Sequence, residues 1–167
     1  MKYLTLLVCI FLLSACAKFE PITQDDINSY GELNKIKIID YTILDEQSAL
    51  ILEVDGSVAQ VSTITKRKNK SITPVESMSA AWNEDEEGVS VERALGYFCV
   101  VVHDKAVEHD MDFVIINYLD DNGVQKDRFD LNGKQGVLIK MDPKYEGGGM
   151  VAIYGNDGFI QEKMYYP

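Results

Sequence analysis

Positive charge is scarce in this chain. Its 167 residues carry 16 lysines and arginines against 27 aspartates and glutamates, a formal net charge of −11. Nucleic-acid binding draws on clustered Lys and Arg to displace counterions from phosphates, so DNA and RNA are excluded as partners. Cysteine and histidine are scarcer still, at three and two residues. Long apolar runs are missing as well. The longest, Tyr3 to Leu13, has eleven residues broken only by Thr5, whereas a membrane-spanning helix needs about 20. No repeat period or low-complexity tract occurs. What remains, 46% apolar and 26% charged, is the composition of one globular domain with a core of its own.

The apolar run carries an address rather than a span. A short positive start, Met1-Lys2, leads into it, and it ends in Leu13-Ser14-Ala15-Cys16. This layout is that of a secretory signal with a small-residue cleavage site. The four terminal residues resemble the lipobox of bacterial lipoproteins, which reads Leu, a small residue, Ala or Gly, then Cys. The resemblance covers residues 1–16 alone. It implies that Cys16 receives a thioether-linked diacylglycerol, that signal peptidase II removes residues 1–15, and that the new amino group is acylated. It further implies the outer membrane, periplasmic face, because Ala17 stands where the inner-membrane retention signal of enteric bacteria places Asp. Several acyl chains are what a stable anchor requires. No cofactor is expected beyond the covalent diacylglycerol and N-acyl chain on Cys16. With Cys9 removed and Cys16 lipidated, Cys99 is the lone thiol, which excludes an internal disulfide in a monomer. Its apolar setting, Gly96 to Val102, predicts burial.

Residues 16–34 read as a lipidated, flexible tether, polar and containing Pro21. Within it Thr23-Gln24-Asp25-Asp26 can cap a short helical turn that Gly31 stops. Residues 35–167 read as a single periplasmic domain whose periodicity is near two. In Ala49 to Gly56, Leu50, Leu52 and Val54 fall on one face and Glu53 and Asp55 on the other, a half-buried strand. Lys35 to Leu44 alternates too but slips phase at Ile38-Ile39, as at a bulge. Further strands are expected at 58–65, 95–103, 112–119, 124–131, 137–141, 150–154 and 159–166. Asn122-Gly123, Asn132-Gly133 and Asp157-Gly158 mark hairpin turns. Only Pro74 to Asp85 has room for a helix, and a brief one. Nine strands without a long amphipathic helix predict an all-β fold, an antiparallel β-sandwich of immunoglobulin or transthyretin type. The competing architecture is a small closed β-barrel. It is disfavoured because the single Trp, Trp82, follows Ser79-Ala80-Ala81 rather than the Gly-x of the lipocalin family.

Tests for chemistry return little. His103 and His109 stand among Asp104, Glu108 and Asp110, but no set of three or four converging ligands is evident, so no metal is expected. Gly88-Val89-Ser90-Val91-Glu92 lacks the second Gly of a nucleophile elbow. Gly147-Gly148-Gly149 offers backbone N–H groups, yet Glu146 beside it repels an anion. No pair among the 27 acids stands out for glycoside hydrolysis, and a non-enzyme is the expectation. Charge and exposure patterns say more. Lys66, Arg67, Lys68 and Lys70 form a basic tip, and Glu84 to Glu87 an acidic one. Tyr97 to Val102 lacks a polar side chain on either face, so its outer face needs cover from a loop within 66–94 or from a partner. Met164-Tyr165-Tyr166-Pro167 adds an amphipathic end of the kind enriched at interfaces. Lys66, Arg67, Lys68, Lys70, Tyr97, Tyr165 and Tyr166 are therefore the candidate partner-binding residues. The expected function is a non-catalytic module that is anchored in the membrane by its lipid and binds another protein, which the acidic surface suits if that partner is basic. It would serve as a docking component of an envelope or secretion machine or as a toxin-neutralising immunity protein. A small-molecule or lipid carrier is the second class, and an envelope hydrolase the third.

Overall fold

The computed structural model describes residues 20–55, 58–81, 89–102, 111–155 and 158–165. The lipobox residues Leu13, Ser14, Ala15 and Cys16 lie outside them, as do Trp82, the acidic run 84–87, His103, His109 and Tyr166.

Antiparallel strands make up most of the described chain and form three sheets. The first contains β1 (Lys37–Ile43), β2 (Ser48–Asp55), β3 (Val58–Lys66) and β4 (Ile72–Ala81) as a simple meander. The middle sheet has the order β5-β6-β9, from β5 (Val89–Ala94), β6 (Tyr97–Val102) and β9 (Gly136–Lys140). The last has the order β11-β10-β7-β8, from β7 (Met111–Asp120), β8 (Gly123–Asp130), β10 (Gly149–Gly155) and β11 (Gly158–Tyr165). Among the described residues no sheet closes on itself, so the fold is an all-β sandwich, with three sheets where two suffice for the immunoglobulin type.

Alternation along β6 builds the stack. Phe98, Val100 and Val102 meet Val114, Ile116, Val151 and Ile153 of the last sheet. Cys99 and Val101 meet Leu50, Leu52, Ala59 and Val61 of the first. The polar-free run at 97–102 is thus covered on both faces by sheets of the same chain, and neither a loop within 66–94 nor a partner is required. Central strands buried on both faces read as continuous apolar runs, and this one does. Burial also pushes the Cys99 thiol up to about 12, with the nearby Glu92 charge adding to it, which leaves it protonated and inert at neutral pH.

The first and middle sheets meet edge to edge at β1 and β9. Asp40, 8% exposed, accepts the backbone N–H of Leu138 at 2.8 Å and the Lys134 ammonium at 2.6 Å. The register slip expected near Ile38 is present as an irregularity between Ile38 and Asp40, and it aims this carboxylate across the seam. Gly136 follows the same logic, because a Cβ there would meet the Val100 carbonyl and stand 2.9 Å from Ile39 Cδ1.

The tether reading fails from residue 20 onward. α1 (Gln24–Asn34) is an eleven-residue helix opened by a capping box between Thr23 and Asp26, the reciprocal bonding that satisfies two orphan N–H groups. Ile22 and Ile27 pack with Ala49, Ile51 and Ile64 on the outer face of the first sheet. Gly31 does not stop the helix; it is buried within it, its backbone close against Ile38, and Lys35 at φ 57° forms the cap instead. Lys66 fastens α1 from below, donating to Asp26 at 2.7 Å and to the Pro21 carbonyl at 3.1 Å.

Two further expectations are corrected. Residues 72–81 are strand, not helix. Pro74 is tolerated because β4 is an outer strand and Pro74 sits at the irregularity opposite Ile64, where a missing N–H breaks no regular ladder. Asn132-Gly133, at φ 52° and 74°, does not join paired strands. It turns the chain out of the last sheet into the middle one.

Glu53 is one of two described residues with a buried polar side-chain atom that lacks a partner, the Tyr165 hydroxyl being the other. Glu53 is 8% exposed, under α1; one carboxylate oxygen takes the Ser62 hydroxyl at 3.4 Å and the other has no partner. Burial raises its pKa against the Ser62 hydrogen bond, and Asp55 adds to the rise. A raised carboxylate binds its proton more tightly when folded, so its cost is absent below the unfolded value and complete above the folded one. Glu53→Gln is therefore expected to raise stability by about 1 kcal/mol at pH 7 and to leave it unchanged near pH 4, as read by urea unfolding at the two pH values.

Candidate functional site

The residues put forward from sequence do not converge. Lys66 is 6% exposed and paired to Asp26, so it is structural and unavailable to a partner. Arg67, Lys68 and Lys70 are exposed at the β3–β4 turn, where Lys70 reaches Glu20 at 3.0 Å. Tyr97 is half-buried on the middle sheet. Tyr165 is 6% exposed, inside the core between the middle and last sheets. The exposed side chain at this end is instead that of its neighbour.

That neighbour, Met164, lies on the outer face of the last sheet, because successive residues of a strand point to opposite faces. In register beside it comes Met150, then Asn117. Leu119 and Val124 pair one step further along. Leu119, Val124 and Met164 are 68%, 67% and 67% exposed. Together with Gly147, Gly148 and Gly149 these side chains rim an open apolar hollow of about 490 Å³. Toward the other end of the same face Phe113 stacks on Tyr154 at 4.9 Å, Phe159 meets Tyr154 edge-on at 5.7 Å, and Arg128 lies 3.5 Å above Phe113. Arg128 is also held by Asp130 at 2.8 Å and Asp112 at 3.5 Å. One sheet face thus carries exposed aliphatic, thioether and aromatic groups, with the charges of Lys126, Arg128, Asp130 and Glu162 set among them.

The hollow has a rigid floor. A 3-10 turn, Pro143–Tyr145, places Tyr145 against Tyr118 at 5.2 Å and Phe98 at 5.9 Å. Phe98 meets Tyr165 edge-on at 4.7 Å, within the range in which aromatic pairs attract beyond simple burial. The Tyr145 hydroxyl donates to Asp127, and Lys144 pairs with the same carboxylate. Burial and the Asp127 carboxylate push the Tyr145 hydroxyl well up. Burial also raises Asp127, but the Lys144 and Tyr145 hydrogen bonds reverse this and leave it low. Lys144 is raised, chiefly by its bond to Asp127. These shifts belong to a closed, mutually satisfied cluster that stiffens the turn. The Tyr145 hydroxyl and the Lys144 ammonium are tied to one carboxylate, which holds the turn against the sheet.

Among the described residues no three His, Cys, Asp or Glu converge as metal ligands, and no helix is long and apolar enough to cross a membrane. The surface was only partly legible in advance. Met164 belonged to the amphipathic end singled out from sequence, but Leu119 and Val124 are ordinary strand residues, and their exposure depends on which face of the last sheet is left uncovered. No family model, no curated protein and no solved structure matches the chain.

Proposed function

We propose that this chain is a lipid-anchored, non-catalytic protein-binding module on the periplasmic face of the bacterial outer membrane. The observation that carries the binding role is the uncovered outer face of the last sheet, with Leu119, Val124 and Met164 each about two thirds exposed. Contiguous apolar surface on an otherwise acidic, soluble domain marks a contact site, and methionines adapt such a surface to its partner. The lipobox-like Leu13-Ser14-Ala15-Cys16 supplies the anchor, and docking in an envelope machine or capture of a toxin are the two roles such a module serves. A carrier is less well supported. The hollow of about 490 Å³ is an open rim rather than an enclosure, and the cleft between the first and middle sheets holds about 70 Å³, against several hundred for a typical ligand.

Two variants test the proposal together. Cys16→Ser is expected to move the protein from the membrane pellet to the soluble fraction with its β-rich circular dichroism intact. Leu119→Asp with Met164→Asp is expected to stay in the pellet but to lose the protein that wild type recovers from envelope extracts. A Cys16→Ser variant that still sediments with membranes refutes the anchor. A double variant that recovers the same partner equally well refutes the surface.

A further inference from the structure

The margin of the molecule opposite the β1–β9 seam is built differently from its other edges. There the first and middle sheets part, and a cleft of about 70 Å³ opens between β4 and β5. Leu52, Val61, Cys99 and Val101 form its apolar floor, with Met78 of β4 and Glu92 and Arg93 of β5 also lining it; Glu92 pairs with Cys99 on the cleft side, whereas Arg93 pairs with Phe98 on the opposite face, where its charge acts on Tyr165. β4 pairs with β3 along Ile72–Ala81, and among the described residues no strand pairs with its other side. From Val75 to Ala81 it carries one charge, Glu76, while Val75 and Met78 are 68% and 48% exposed. Natural sheets guard open edges with charges, bulges or cover. β8 is guarded in this way, by Lys126, Arg128 and Asp130 on its exposed positions. β1 leans on β9. Beyond Pro74, Glu76 is the one charge on β4, and among the described residues no strand covers its edge.

We infer that the open edge of β4 receives an extended segment of a partner polypeptide, with an aliphatic side chain seated in the β4–β5 cleft and basic residues flanking it. Three features fix this occupant. A row of alternating backbone donors and acceptors is matched by another strand and by little else, which is how peptides add to sheet edges. A space of about 70 Å³ takes one branched aliphatic side chain. The flanking charge follows from Glu76 and Glu92: Glu76 shares the face of β4 that carries Met78, because positions two apart lie on one side, and Glu92 lines the cleft itself. A second copy of this chain is the other strand at hand, but at a net charge of −11 each two copies repel. The site is separate from the outer face of the last sheet and does not depend on it.

A fluorescent peptide of about nine residues tests the inference, with Leu at its centre, Lys two positions to either side and Thr elsewhere. It is compared with its twin carrying Asp in place of Lys. Saturable binding is expected, at least ~10-fold tighter for the Lys peptide at low salt, with amide shifts in nuclear magnetic resonance spectra confined to residues 75–81 and 92–101. Met78→Lys, at an exposed position that leaves folding intact, should weaken binding at least ~10-fold, since an edge lysine opposes strand addition. Leu119→Asp should bind the peptide like wild type. Absence of saturation at millimolar peptide, equal affinity for the two peptides, or shifts on the last sheet's outer face overturn the inference while leaving the proposed function standing. Concentration-dependent dimerisation through β4 also overturns it, in favour of a second copy.

Discussion

Asp40→Ala is expected to destabilise the domain by about 3 kcal/mol. The carboxylate is nearly buried and bonds two groups of the neighbouring sheet, the Leu138 N–H and the Lys134 ammonium. Alanine strands a backbone donor away from water, which costs about 1–3 kcal/mol, and removes a charge-assisted bond of similar size. Lys134 is 49% exposed and can turn to solvent, so its loss adds little. Asp40→Asn retains one acceptor for Leu138 and is expected to lose less than half as much. Urea unfolding monitored by circular dichroism gives both numbers. Equal losses in the two variants would show that the charge, rather than the acceptor, holds the seam.

Gly149→Ala is expected to cost about 2–3 kcal/mol, the scale of overpacking a filled core. Gly149 lies in register between Tyr118 and Tyr165. A Cβ there would strike the Asn117 carbonyl and come within 2.7 Å of the Tyr165 hydroxyl. The ring cannot retreat freely, because it is edge-on to Phe98, which has no exposure at all. Gly147→Ala is the control. Nothing lies within 4 Å of its added carbon, and a change below about 0.5 kcal/mol is expected. Thermal unfolding of the pair separates a packing requirement from general flexibility of the loop. A Gly149→Ala variant as stable as the control would mean that β10 and β11 shift easily, and the floor beneath Leu119 and Met164 would then be soft.

Strand positions were legible where residues alternate, although β2, read as half-buried, is covered on both faces, by α1 and by the middle sheet. β2, β7, β8, β10 and β11 lie within a residue or so of where alternation and turn residues put them, and the β1 irregularity falls where the phase slips. Legibility ended where tertiary contacts decide. In Val75 to Ala81 small and polar residues give weak local signal, and pairing to β3 settles the matter. α1 has only Ile27 and Gly31 buried, too sparse a stripe to show a helical period. Burial of Lys66 was hidden because its partner, Asp26, lies 40 residues away. The candidate surface was half visible for a similar reason. Composition shows that Met164 and Leu119 are apolar, but which side of a sheet faces water depends on what stacks against the other side.

The order of strands along the chain makes the stack indivisible. β5 and β6 enter the middle sheet first, the chain then departs to lay down β7 and β8, and β9 returns only at residue 136 to complete it. A polypeptide stopped short of that return leaves β6 without its partner on one side and its apolar faces incompletely covered, so nonsense-truncated products should be cleared by proteases rather than persist as half-molecules. Distant pairing of this kind also slows folding and prolongs exposure of unpaired strands.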